Sequence, residues 1–414
     1  MKNLLKTFGP GILFASTAIG VSHLVQSTQA GAYFGFNMLW AVVLANLFKY
    51  PFFEFGARYA NATGESLISG YRKLGTVPLW SFFGITLISM FLVTAAVGSV
   101  TAGFMQNLFQ LESNTFTLIV LFSLCVLILV FNNFKVLDGL IKIIGIVLLI
   151  STLIAFIMVI IKGPQGNRPL LGMDAIPSEA YLTFLIPLMG WMPTALDLSA
   201  WSSLWTLERI KQTGYHPTLS ETKLDFNIGY LLSSLLAICF ITLGAFIMYG
   251  TSLSFSMSPA QFSNEVIQLY STTFGHWATS IMAISAFSIM FGTCIAVFDG
   301  YSRAMAATLP LLTKKQAIQS ASKKTYRWLL LLIALGSFAI IYAFQNDPAG
   351  FKKLINLATS VSFVLAPVIA IYNLILMQSK YVGTSHVPNL LMRLLAYAGF
   401  LFLLFFSIYY LVFI

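Results

Sequence analysis

Two apolar stretches carry polar side chains in their middles, and these are the residues of the chain best placed to do chemistry. The first, Phe8 to Phe36, is long enough to cross a bilayer but is interrupted by Gly20-Val21-Ser22-His23. The second, Leu182 to Trp205, carries Gly190-Trp191-Met192-Pro193-Thr194-Ala195-Leu196-Asp197 at its centre. A hydroxyl, an imidazole, a thioether and a carboxylate are costly at the driest depth of a membrane, so each is a candidate for handling a polar cargo. An interrupted helix also frees backbone carbonyls and amides, the groups that line solute sites between broken helices. Two breaks about half a chain apart are the sequence pointer to a transporter of the inverted-repeat type.

Composition fixes the class that must position these residues. With 58% hydrophobic and only 9% charged residues, against about 25% charged in an ordinary soluble domain, the chain reads as a polytopic membrane protein. Its net charge of +10 does not point to nucleic acid, because the basic residues sit in short loops and form no continuous face. Cys125, Cys239 and Cys294 fall in apolar runs without metal-ligand spacing and read as small buried residues.

The apolar segments run over 8–33, 37–60, 79–108, 114–132, 137–162, 179–205, 226–250, 272–309, 326–345, 350–378 and 388–414, each near or above the roughly 20 residues a spanning helix needs. Eleven spans with a cytoplasmic N-terminus put seventeen Lys and Arg on the inside and four (Lys162, Arg168, Lys352, Lys353) on the outside. That bias predicts an integral protein of the cell (inner) membrane with its C-terminus outside. The stretches 163–178 and 207–225 read as connectors, His216, His276 and His386 as interfacial filler, and Lys314, Lys315, Lys323, Lys324 and Arg327 as a patch attracted to anionic lipid. The two halves share placement only: spans one to five and six to ten each begin with a broken helix.

Charges inside the spans have two readings each. Lys49 and Glu54 are five residues apart in the second span and do not face each other on a helix. Lys49 is read as a snorkelling side chain or as a charge standing in for a bound cation, and Glu54 as an inner-interface residue. Asp299 and Arg303 are spaced i, i+4 and predict an intrahelical ion pair at an inner gate. Lys142 in the fifth span is ambiguous.

Gly9-Pro10, followed at a fixed interval by Phe34-Gly35-Phe36, then Leu39-Trp40, Asn46-Leu47, Ala57-Arg58 and Ala62-Thr63-Gly64, resembles the first two spans of Nramp-type transporters. Met192-Pro193 falls at the break of the sixth span, where that family carries Met-Pro-His. The resemblance implies an all-α, LeuT-type fold of two inverted five-helix repeats (8–162 and 179–378) plus one additional helix (388–414). It further implies alternating access around the breaks, a monomer, no cofactor, and, as the family default, proton-coupled uptake of divalent metals.

The departures from that pattern are chemical. The family's Asp-Pro-Gly-Asn falls on Gly20-Val21-Ser22-His23, so the metal-binding aspartate is Gly20 and the asparagine is His23. The histidine of the sixth span is Thr194, the glutamine ligand of the tenth falls on Thr359, and the acidic pair of the proton route falls on Thr94 and Val97. A hard divalent cation held only by thioether, imidazole and neutral oxygens is poorly compensated in a low-dielectric site. Asp197, three residues after Thr194, would rebuild a metal site of altered selectivity with His23 and Met192, or would instead cap the second half-helix. The opposite chemistry is a small anion or zwitterion, such as bicarbonate or an amino acid, held by helix N-termini with Gly20, Ser22, His23, Met192, Thr194, Asp197 and Thr359 around it.

A receptor built on a transporter fold would share this degraded site but shows no signalling tail. An enzyme lacks a nucleophile-and-base pair: Ser22 and His23 are neighbours, and neighbours on a helix point about 100° apart. The expectation is a secondary-active transporter whose only partners are its small cargo and the bilayer.

Overall fold

The computed structural model describes residues 7–131, 134–172, 178–251, 255–256, 258–275, 277–313 and 322–413. His276, Lys314 and Lys315 lie outside the described residues, and so does the side chain of Lys142. The first apolar stretch is a helix in three parts. α1 (Pro10–Ala18) opens with proline in its first turn, where the missing N–H costs nothing, and stops at Ile19 and Gly20. A π-helical turn over Ser22–Ser27 follows and runs into α2 (Thr28–Phe34). The second stretch is broken likewise: α8 (Ser178–Gly190) ends, the chain unwinds, and a 3₁₀ turn at Leu196–Leu198 leads into α9 (Ser199–Thr213).

Around them stand α3 (Leu39–Thr63), α4 (Leu67–Leu74), α5 (Thr76–Phe109), α6 (Asn114–Phe131) and α7 (Phe134–Lys162). After the second break come α10 (Leu219–Ile247), α11 (Pro259–Phe274), α12 (Ala278–Leu312), α13 (Lys323–Phe344), α14 (Gly350–Leu376), the short α15 (Ser379–Val382) and α16 (Leu390–Phe413). Each of the eleven expected spans corresponds to one of these helices or broken pairs. Among the described residues, seven helices are long and apolar enough to cross a membrane on length and composition alone. α3 is as long, but it carries Lys49, Glu54 and Arg58.

The connector 207–225 turns out to be structural, and a further helix precedes the eighth span. The stretch 207–225 contains the end of α9 and the start of α10, which a Thr218–Glu221 capping box fixes. Asp225 then reaches back across the chain to accept from the Gly9 and Gly11 amides at 3.1 and 2.7 Å, satisfying the open N-terminus of α1. α11 precedes the expected eighth span, and its Ser258 side chain caps the helix by accepting from the Gln261 amide.

The broken first span lies against α10 with almost no space between backbones. A Cβ on Gly31 would fall 1.9 Å from the Ile241 carbonyl, and one on Gly244 would fall 2.1 Å from the Thr28 carbonyl. Small residues at such a crossing let helices associate where lipid removes the hydrophobic drive. Gly244→Leu therefore forces α2 off α10 and is expected to destabilise by about 1–3 kcal/mol, read as a lower unfolding temperature in detergent. Gly84→Ala, which meets nothing within 4 Å, is expected to stay within about 0.5 kcal/mol of the parent.

Candidate functional site

The two breaks face each other in the middle of the bundle. The Ser22 hydroxyl lies 3.3 Å from the Pro193 carbonyl, and the Ser27 hydroxyl donates to the Met192 sulfur at 3.7 Å. Ser22, His23, Ser27 and Met192 are buried. Sequence spacing thus located one meeting point from two segments far apart in the chain.

Each half-helix that stops leaves carbonyls without intrahelical donors, and hydrocarbon supplies none. At the first break the donors are neutral. Thr293 of α12 donates to the Ser16 carbonyl at 3.0 Å and approaches that of Ile19 at 3.4 Å, while Ser22 donates to Ala18 at 2.8 Å. Gly20 permits this contact, since a Cβ there would sit 2.9 Å from the Thr293 methyl.

At the second break the donor is a charge. The Lys49 ammonium, fully buried, donates to the Met189 and Gly190 carbonyls at 2.7 Å each and points at the Thr194 carbonyl at 3.5 Å. The snorkelling reading of Lys49 therefore fails: the side chain turns inward, because the C-terminal end of α8 offers partial negative charge and two free acceptors. Gly190 itself packs against α14, with a Cβ there only 2.1 Å from the Thr359 carbonyl. Thr359 reaches the break through its backbone, and its hydroxyl turns back to Ile355 and Asn356 at 2.8 and 3.0 Å.

His23 is saturated. Nε2 donates to the Ser233 carbonyl at 2.9 Å, so a neutral ring carries its proton there, and Nδ1 faces the Ser22 hydroxyl at 2.7 Å. The angular argument against a Ser22–His23 contact is corrected by this bond: neighbouring Cβ directions diverge, yet the imidazole still reaches the short serine side chain. Asp197 accepts from the Tyr301 hydroxyl of α12 at 3.2 Å. It lies within the 3₁₀ turn that leads into the second half-helix. Among the described residues no group of three His, Cys, Asp or Glu is placed to hold a metal ion.

One polar residue, Gln26, escaped the sequence reading, and two that it named stand differently from their expected roles. Gln26, in the π-helical turn, is 0% exposed, and neither its amide oxygen nor its nitrogen has a partner; a glutamine inside an apolar run was the available signal. Thr94 of α5 is likewise buried with its hydroxyl unpartnered. Glu54 pairs with Arg58 at 2.7 Å, one turn on, and both are buried, with Arg58 also donating to the His386 carbonyl at 2.9 Å. The i, i+4 spacing was legible, and it makes Glu54 a paired core residue in place of an interfacial one.

Asp299 and Arg303 form the expected intrahelical pair at 2.7 Å, and the Tyr326 hydroxyl of α13 donates to Asp299 at 2.6 Å. Both lie on α12 beyond Thr293, outside the ring of residues at the breaks. Aromatic side chains pack on both helical parts of the first broken span. Phe14 packs on Phe53, Phe226 and Tyr230 with centroids 5.1 to 5.6 Å apart, and on the opposite side Phe34 packs on Tyr181 and Phe184 at 5.7 and 5.5 Å.

This chain matches the family described as natural resistance-associated macrophage protein-like (Nramp) over residues 11–413. An uncharacterized protein of Pasteurella multocida, PM0681, is 37% identical over 372 residues, covering 88% of this chain and 83% of that protein. Among solved structures, a variant of the manganese transporter of Eremococcus coleocola superposes with a TM-score of 0.73 at 14% identity, covering 99% of this chain and 86% of that one. MhsT in complex with L-phenylalanine superposes at 0.64 with 12% identity and 97% coverage of both chains. Mhp1, a nucleobase-cation-symport-1 family transporter, gives 0.56 at 11% identity, covering 97% of this chain and 91% of that one. Identities this low speak for the fold, which is the LeuT-type arrangement of paired broken helices. With its eleven spans, its two facing breaks and a family match from residue 11 to residue 413, the chain belongs to the Nramp family of membrane transporters.

Proposed function

We propose that this protein is a secondary-active transporter that alternates access to a site between the breaks at residues 19–23 and 190–198, and that its cargo is a small anion or zwitterion. The observation that carries the cargo assignment is the contrast between two buried side chains of the first break. Both nitrogens of His23 lie within hydrogen-bond distance of protein oxygens, on Ser22 and Ser233, whereas both amide atoms of Gln26 are unspent. A hard cation wants several oxygens including carboxylates. An amide offering N–H donors and a carbonyl acceptor together suits a carboxylate or zwitterion.

Metal-ion transport of altered selectivity is the second reading. It is favoured by the Met192 thioether, fully buried at the break, by Asp197 five residues beyond it in the 3₁₀ turn, and by the manganese transporter among the structural neighbours. The bias of Lys and Arg supports a cytoplasmic N-terminus and an external C-terminus for either reading.

Titration calorimetry separates the two, using bicarbonate, amino acids, Mn²⁺, Zn²⁺ and Mg²⁺ against the parent and against Gln26→Leu, His23→Ala and Asp197→Ala. The expected result is saturable heat with an anion or zwitterion, weakened about 10- to 100-fold by Gln26→Leu, the loss of a hydrogen bond to a charged group. Saturable Mn²⁺ binding that His23→Ala and Asp197→Ala both weaken would replace this assignment with the metal reading. In reconstituted vesicles, Gly20→Trp, whose side chain must enter the space beside Thr293, is expected to abolish uptake while the protein stays folded by gel filtration. Normal uptake by that variant would remove the breaks as the pathway.

A further inference from the structure

The ammonium of Lys49 occupies a place that a free cation would otherwise take. Two carbonyls at the end of a broken helix, both 2.7 Å away, with a third at 3.5 Å, form a small oxygen cradle in the middle of the bundle. Unwound carbonyls and half-helix C-termini are the groups that coordinate driving cations in broken-helix transporters. Here the charge comes from a neighbouring span, 140 residues from Met189 in sequence, with the Phe363 ring 5.8 Å from Nζ on another side. The Asp197 carboxylate stands on the other side of the same break, in the 3₁₀ turn that leads into the second half-helix. The ends of the two half-helices thus face opposite charges of the chain itself, Lys49 at the C-terminal end of α8 and Asp197 at the N-terminal end of the second half.

We propose that Lys49 is a tethered cation: it permanently fills a cation site made by the Met189, Gly190 and Thr194 carbonyls, so that the protein uses no free cation at this position. A second cation on the same oxygens would lie about 4 Å from the ammonium, where repulsion at the effective dielectric of such sites lowers its occupancy about a thousandfold. A tethered charge also loses no translational freedom on binding, so the site stays filled whatever the ionic composition. The inference rests on the breaks being the cargo site, but its test reads binding and stability and needs no flux.

The test compares thermal unfolding of the purified parent, Lys49→Ala and Lys49→Met at constant ionic strength, with choline exchanged stepwise for Na⁺, K⁺ or methylammonium. The parent is expected to be indifferent to the exchange. Lys49→Ala, with the cradle emptied, is expected to unfold at a lower temperature in choline and to recover saturably with one of the small cations. Lys49→Met, which keeps the volume filled with an apolar chain, is expected to be lowered and not to recover. A Lys49→Ala variant that no cation restores, or that recovers no better than Lys49→Met, would overturn the proposal. If Lys49→Ala cannot be purified in choline, its recovery as folded protein only when a small cation is present through purification supports the proposal, and failure in every cation counts against it. A parent protein stabilised saturably by Na⁺ or K⁺ to the same extent as Lys49→Ala would also overturn it. Cation rescue without any uptake by the parent would leave the tethered cation standing and remove the transport reading alone.

Discussion

A helix that stops in hydrocarbon exposes carbonyls that water cannot reach, and the rest of this structure follows from how those carbonyls are satisfied. The first break uses hydroxyls, from Thr293 on α12 and from Ser22 within the break. The second uses the Lys49 ammonium. Burying an ammonium costs several kcal/mol, and two charge-assisted bonds of about 1.5–3 kcal/mol each offset a comparable amount. The cation is therefore tolerated only at this spot, where α8 ends and presents its dipole, and α3 must hold Lys49 in register with Gly190.

That requirement explains the packing around it. Gly190 brings the end of α8 against the backbone of α14 at Thr359. α3 is anchored further along by the buried Glu54–Arg58 pair and by Asn61, which donates to the Pro217 carbonyl at 2.7 Å. The first broken span is pressed on α10 through Gly31 and Gly244 and held at its N-terminus by Asp225. The first broken span thus packs chiefly on α10, and the second on α14 through α8 and on α3 through α9, with the two breaks meeting between them.

Family membership gives this chain the transporter architecture, and the side chains at the breaks give it its own chemistry. The resemblance placed Gly20 and His23 where a metal site has an aspartate and an asparagine. The geometry adds that His23 spends both nitrogens on Ser22 and Ser233, that Asp197 turns to Tyr301, and that a fixed positive charge lies on the carbonyls. Together these leave the Gln26 amide as the polar group at the breaks without a partner.

The sequence alone determined the eleven spans, because an apolar run of sufficient length has one stable form in a bilayer. It also determined both breaks, because Gly20, Gly190 and Pro193 interrupt helices for local reasons, and the Asp299–Arg303 pair, because i, i+4 spacing places them together on one helix. The tertiary structure alone decided where Lys49 points, which amides Asp225 caps and which residues saturate His23. Those partners lie 140, 214 and 210 residues away, and no local pattern encodes which distant carbonyl or amide a buried polar side chain will meet. The π-helical turn that carries Gln26 belongs to the same class, since it exists only where the broken first span is packed against its neighbours.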